Sequence, residues 1–259
     1  MNPIAFTLFG LEVRWYGILI ACGALLGIFF AEKLIERNPR VPEDAVVDAS
    51  IFALPLGIVG ARTYYVLFEW DYYSAHLSEI FAIRNGGLAI HGGLLGGSLV
   101  ILIYCLVKKV SFFELLDMLA PGVVLAQGIG RWGNFMNGEA HGGVTNVPWA
   151  INVGGQMVHP TFLYESILDV SIFLILYFYV SKRRRFPGEM AGIYMILYSI
   201  GRFFIEGLRT DSLYIGPLRT AQVMSLIVIA LGILLLIIQP KRAKAGDYKL
   251  TEPVSKKSE

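Results

Sequence analysis

The sequence predicts an all-α protein, a polytopic membrane bundle of about seven transmembrane helices, and three observations point to it. Of 259 residues, 55% are hydrophobic and only 16% are charged. The mean hydropathy of +0.60 is too apolar for an ordinary soluble domain. The apolar residues gather into stretches that approach the roughly 20 residues a helix needs to cross a bilayer. The basic residues recur in every second connection between those stretches, as expected of a chain threaded back and forth through a membrane.

The first stretch, residues 14–31, opens on Arg14-Trp-Tyr-Gly17 and is followed by Lys33, Arg37 and Arg40. The second, 46–68, leads into a connection near 69–87 carrying Trp70, Tyr72 and Tyr73, aromatics suited to the headgroup boundary. Within that connection the apolar run 77–83 is too short to cross and is expected to lie along the interface. The third stretch, 88–107, begins around His91-Gly-Gly-Leu-Leu-Gly-Gly97 and is followed by Lys108 and Lys109. The fourth, 112–129, runs into a long connection near 130–160 that is rich in glycine and asparagine. There Gly154-Gly155 predicts a small hairpin over 147–158, because paired glycines favour tight turns. The fifth stretch, 161–180, is followed by Lys182, Arg183, Arg184 and Arg185, and the sixth and seventh occupy 191–205 and 221–238. Residues 1–240 thus read as one seven-span domain. Residues 241–259 read as a polar tail expected to be disordered.

Charge sets the expected orientation. The four basic segments, the tail included, fall on one side, which the positive-inside rule makes cytoplasmic. The N-terminus is then outside, the C-terminus inside, and the connections near 69–87 and 130–160 face outward. Every lysine belongs to the cytoplasmic set, whereas the other basic residues are all arginines: Arg14, Arg62, Arg84, Arg131, Arg202, Arg209 and Arg219. Arginine presents a rigid fork suited to phosphate or carboxylate, and lysine a hydrated point charge. Pairing with Glu69, Asp71, Glu139, Glu206 or Asp211 is the structural alternative for these arginines. The N-terminus has no basic region ahead of its apolar run and no small-residue cleavage site, so a removable signal is not expected. No internal repeat of the kind that builds two-halved transporters is evident.

Three constellations carry chemistry. The densest is Gly130-Arg-Trp-Gly-Asn-Phe-Met-Asn-Gly-Glu139, which sets an arginine, two amides and a carboxylate at the end of an apolar span. Such groups at membrane depth mark a functional site by default. In the second, the glycines after His91 suit close helix packing. His91 itself is a proton acceptor at neutral pH or a structural donor. In the third, Tyr198, Arg202 and Glu206 recur at every fourth position and share a helix face, with Arg209 three residues on. That face reads either as a self-neutralised Arg–Glu pair or, with Arg131 at a similar depth, as a pair of guanidinium groups fit for a phosphodiester. Tyr16 adds a phenol at the start of the first span. Glu165 and Asp169, spaced four apart in the fifth, either balance arginines or stabilise the bundle. Cys22 and Cys105 lie within spans and read as small hydrophobes. His76, His141 and His159 are scattered, and no metal-ligand spacing, nucleophile elbow or phosphate loop is present. A chain without an evident nucleophile suggests that a substrate supplies one.

The ten-residue motif, followed by Gly142, resembles the signature of the bacterial prolipoprotein diacylglyceryl transferase family. The resemblance extends to Arg14-Trp-Tyr-Gly17, His91-Gly-Gly, His159-Pro-Thr-x-Leu-Tyr-Glu165 and Gly201-Arg-Phe-x-x-Glu206, in the family's order from the first to the sixth span. It implies transfer of the sn-1,2-diacylglyceryl group of phosphatidylglycerol to the lipobox cysteine thiol of a preprolipoprotein, with a thioether formed and glycerol-1-phosphate released. This is the first step of lipoprotein maturation in the bacterial inner membrane. By the same resemblance His91, Arg131 and Arg202 are the expected catalytic residues. Tyr16, Arg131, Asn134, Asn137, Glu139, Gly142, Tyr198, Arg202, Glu206 and Arg209 are the expected substrate-binding set. Phosphatidylglycerol, the lipobox segment and membrane lipids are the expected partners; no nucleic acid, metal or cofactor is implied. A non-catalytic lipid or peptide carrier using the same arginines is the rival from another class.

Overall fold

The structure, a computed structural model, describes residues 2–83, 86–210, 212–243 and 248–250. Arg84, Asp211 and most of the tail, named above, lie outside the described residues. Among the described residues there are eight α-helices: α1 (Trp15–Ile35), α2 (Ala45–Phe68), the single turn α3 (Trp70–Tyr73), α4 (Ile90–Lys108), α5 (Phe112–Asn137), α6 (Thr161–Leu174), α7 (Glu189–Glu206) and α8 (Thr220–Arg242). Three two-stranded hairpins join them: β1 (Ile4–Leu8) with β2 (Leu11–Arg14), β3 (Ile151–Val153) with β4 (Gln156–Val158), and β5 (Tyr214–Ile215) with β6 (Leu218–Arg219). Among the described residues six helical segments are long and apolar enough to cross a membrane, α6 continuing through a π-helical and a 3-10 turn to Arg183. The protein is a multi-pass helical membrane protein. The remaining expected span, the sixth at 191–205, corresponds to α7, set apart from those six by three charged residues, Glu189, Arg202 and Glu206. All three are neutralised within the fold by ion pairs.

Two sequence expectations change. The connection expected to open at residue 130 begins later, because α5 continues to Asn137 and most of the ten-residue motif is helical. Gly130 and Gly133 look like loop formers but serve close packing: a Cβ on Gly133 would lie 2.7 Å from the Tyr16 ring. The tail departs from expectation as well. Helix α8 runs to Arg242, and Tyr248 and Leu250, two apolar residues in a polar stretch, are buried. The Leu250 amide donates to Ser181 O at 2.9 Å. The predicted hairpin is present as β3–β4, with Gly154 and Gly155 at φ of 60° and 87°, a turn that residues with a Cβ adopt poorly.

Backbone contacts divide the chain into two compact units, one of residues up to Pro39 and from Leu116 onward, the other Arg40–Leu115. In the second unit α2 packs on α4 through glycines, a Cβ on Gly60 falling 2.6 Å from Gly92 O. In the first, α1 meets α5 in the same way, a Cβ on Gly27 falling 2.7 Å from Gly122 O. Without a hydrophobic drive between helices in lipid, such backbone approach is a main source of attraction. The first unit is also pinned at the start of α7 by Asp117 of α5. That carboxylate accepts from Arg184 Nε at 2.7 Å and from the amides of Gly188 and Ala191 at 2.8 and 2.9 Å. Both side chains are fully buried, and the carboxylate sits where the amides that open a helix are unsatisfied.

Candidate functional site

Three helices of the first unit bring charged side chains to one place. Arg131 projects from α5, Glu165 and Asp169 from α6, and Tyr198, Arg202 and Glu206 from one face of α7. Arg209 follows in the turn beyond. Glu165, only 2% exposed, is the hub: Arg131 Nε lies 2.6 Å from its Oε2 and Arg202 Nη1 2.5 Å from its Oε1, with Arg209 Nη1 3.5 Å from Oε1. Arg202 spans two carboxylates, since its Nη2 lies 2.5 Å from Glu206 Oε2. Arg131 Nη2 donates to the Tyr198 hydroxyl at 3.3 Å. Three arginines are therefore paired with two carboxylates, Glu165 and Glu206, while neither oxygen of the buried Asp169 has a hydrogen-bond partner among the described residues. Fully buried charges of either sign would be costly at this depth without such pairing. The Arg131 and Arg202 side chains stay 21% and 18% exposed, so the cluster is open to a ligand.

The loops lock the cluster in place. Gly142 bridges Arg209 in antiparallel fashion, and Gly143 N donates to Leu208 O at 2.9 Å. The same strand-like segment continues onto β4 through Val144 and Val158. Side-chain bulk at Gly142 is excluded, because a Cβ there would lie 2.7 Å from the His159 Cβ. Arg219 donates to the main-chain oxygens of Glu206 and Arg209, closing the turn after α7 from below. The Ser212 hydroxyl donates to Glu206 Oε1 at 2.6 Å.

Of the expected residues, Arg131, Tyr198, Arg202, Glu206 and Arg209 are brought together directly, and Gly142 joins them through the backbone. Tyr16 packs its ring on Gly133 of α5, a turn below Asn137. Asn134 and Asn137 both donate to Glu139 Oε1, at 3.0 and 3.1 Å. Glu139 thus holds the end of α5 together, and it is Glu165 that pairs with Arg131. Beside Glu139 a small cavity of about 110 Å³ is lined by Phe135, His141, Phe162 and the β3 strand. His91 belongs to the second unit, exposed in the first turn of α4, with its ring 6.2 Å from that of Tyr64. Among the described residues no group of His, Cys, Asp and Glu converges to hold a metal ion.

Glu165 is the residue that spacing alone undervalued. Its distance of four from Asp169 shows that they share a face of α6, but not which helix that face meets. The stronger signal is its place in the His159-Pro-Thr-x-Leu-Tyr-Glu165 motif.

The family model described as prolipoprotein diacylglyceryl transferase matches residues 3–238. The chain belongs to this family. A protein of Clostridioides difficile (strain 630) named phosphatidylglycerol–prolipoprotein diacylglyceryl transferase is 53% identical over 244 residues, covering 94% of this chain and 98% of its own length. A protein of the same name from Finegoldia magna is 50% identical over 249 residues, covering 96% of this chain and all of its own. Another from Staphylococcus saprophyticus is 44% identical over 268 residues, 98% of this chain and 95% of its own. As a member of the prolipoprotein diacylglyceryl transferase family, the chain is a membrane-embedded transferase. Its arginine–carboxylate cluster is built from motifs that run from α5 to the turn after α7.

Proposed function

We propose that the protein transfers the sn-1,2-diacylglyceryl group of phosphatidylglycerol to the lipobox cysteine thiol of a preprolipoprotein. The observation that carries the site assignment is the convergence of Arg131, Arg202 and Arg209 on a single buried carboxylate, with Arg131 and Arg202 partly open. Guanidinium groups donate in pairs to anionic oxygens, and a lipid phosphodiester presents such oxygens. The cysteine sulfur attacks the sp3 glycerol carbon that carries the phosphate ester. A carbon–sulfur bond forms as the carbon–oxygen bond breaks, and the electron pair leaves with the phosphate oxygen as glycerol-1-phosphate. Arg131 and Arg202 stabilise charge building on that leaving group, the electrostatic contribution that is usually largest in catalysis. The thiol proton goes to a base, since a free thiol is only slightly ionised at neutral pH; His91 takes that role. Tyr16, Asn134, Asn137, Glu139, Gly142 and Tyr198 shape the headgroup pocket. Glu206 and Arg209 hold Arg202.

The protein resides in the bacterial cytoplasmic membrane with its N-terminus outside and its tail inside. That orientation is supported by the lysines confined to alternate connections, and it directs the site toward the outer leaflet. The test is direct. The purified protein in detergent is given phosphatidylglycerol and a synthetic lipobox peptide, and released glycerol-1-phosphate and peptide mass are followed together. Equal amounts of phosphate ester and diacylglyceryl peptide are expected. Lipid binding by folded protein with neither product would favour a carrier.

A further inference from the structure

Arg62 stands apart from the arginine cluster, in the second unit, at the outer end of α2 by the orientation proposed above. It is 7% exposed, yet its acceptors are main-chain carbonyls. Its Nε donates to Ile80 O at 2.8 Å and its Nη2 to Glu79 O at 2.7 Å, while its Nη1 donates to both Gly86 O and Gly87 O at 2.9 Å. The guanidinium carbon also lies 5.1 Å from the Tyr73 ring centre and 6.0 Å from that of Tyr65. One side chain thus gathers both limbs of the connection between α3 and α4. A buried arginine in a membrane span needs such acceptors, and only its rigid, five-donor fork can serve four carbonyls in two directions.

What the fork holds leads straight to His91. Two residues after Gly87, the Ala89 amide donates to Ala61 O at 3.1 Å, beside Arg62 on α2. Helix α4 starts at the next residue, and His91 lies in its first turn. The fit at Gly87 is tight. Its φ is +74°, and an added Cβ would collide with Arg62 Nη1 and come within 2.8 Å of the Tyr65 ring. We propose that Arg62 is a positioning residue for His91: it fixes the connection that sets where α4 begins and hence where the imidazole is presented. The inference rests on the assignment of His91 as the base in the proposed transferase.

The test uses the full-length protein in detergent with phosphatidylglycerol and lipobox peptide, comparing Arg62→Lys, Gly87→Ala, His91→Ala and the two double variants that include His91→Ala. Gly87→Ala strains the same contact from the loop side and keeps every charge. Each of the two single changes should lower kcat by about 10- to 100-fold, the scale of a small misplacement of a catalytic group, while KM for the lipid stays put. With product collected until the slow His91→Ala rate is resolved, neither double variant should be slower than His91→Ala alone, as expected of residues acting as a unit. Losses that multiply in the double variants would overturn the inference, as would near-normal kcat in the singles. Unfolding of both singles would likewise reduce Arg62 to a fold residue. Undiminished turnover in His91→Ala would instead remove the base assignment, and this inference with it. Absence of product from the wild type would remove the transferase reading itself.

Discussion

Replacing Glu165 by Gln is the sharpest perturbation of the cluster. The change is nearly isosteric, but it removes the charge on which Arg131 and Arg202 converge at 2.6 and 2.5 Å. One carboxylate oxygen becomes an amide nitrogen, a donor facing a donor, so one arginine loses its acceptor. Of the two carboxylates paired with the three arginines, only Glu206 then keeps its charge. Because Glu165 is 2% exposed and its two closest partners about one-fifth exposed, solvent does little to soften the loss. Removing one partner of a buried pair typically costs about 3–5 kcal/mol. If about 2–3 kcal/mol of that reaches the transition state through a displaced arginine, kcat/KM falls roughly 30- to 150-fold. The assay is glycerol-1-phosphate release from phosphatidylglycerol at sub-saturating lipid, with thermal unfolding measured in the same detergent. Unchanged kcat/KM with unchanged unfolding would refute the idea that Glu165 sets the arginines.

Other perturbations follow from the same geometry. Arg202→Lys keeps the charge but cannot span Glu165 and Glu206 together, so turnover should drop by at least about tenfold, the direction expected when a forked donor becomes a point charge; rate measurement at saturating lipid checks it. Cys22→Ser and Cys105→Ser should both remain active, because the attacking thiol belongs to the peptide, and loss of turnover in either folded variant would misplace the nucleophile. Asp117→Asn should cost about 3–5 kcal/mol of stability, the usual penalty for removing one charge of a buried ion pair, read as a lower unfolding midpoint. Its effect on kcat in protein that stays folded should be small, since Asp117 touches Arg184 and the start of α7 rather than the cluster.

Much of this was legible in the chain itself. The apolar stretches predicted the helices to within a few residues at most ends, and the four-residue spacing of Tyr198, Arg202 and Glu206 placed them on the face of α7 that meets Arg131. Gly154-Gly155 announced its hairpin. Less legible was anything that depends on which faces meet. Periodicity put Glu165 and Asp169 on one side of α6 without saying that Arg131 and Arg202 would come to it from two other helices. Gly130 and Gly133 suggested a loop because glycine is a poor helix former, whereas the approach of Tyr16 makes a small residue necessary inside α5. Tyr248 and Leu250 were hidden by the polar residues around them, although two apolar side chains are enough to anchor a short segment. Arg62 gave no sequence sign of its four carbonyl acceptors, since main-chain partners leave no mark on side-chain identity.

The most direct test of the central claim compares wild type with Arg131→Ala in purified, folded form, given phosphatidylglycerol and lipobox peptide. Wild type should release glycerol-1-phosphate in step with the diacylglyceryl mass gain on the peptide, and the variant should lose both. Equal turnover by the two proteins would contradict the assignment of the arginine–carboxylate cluster as the phosphate clamp.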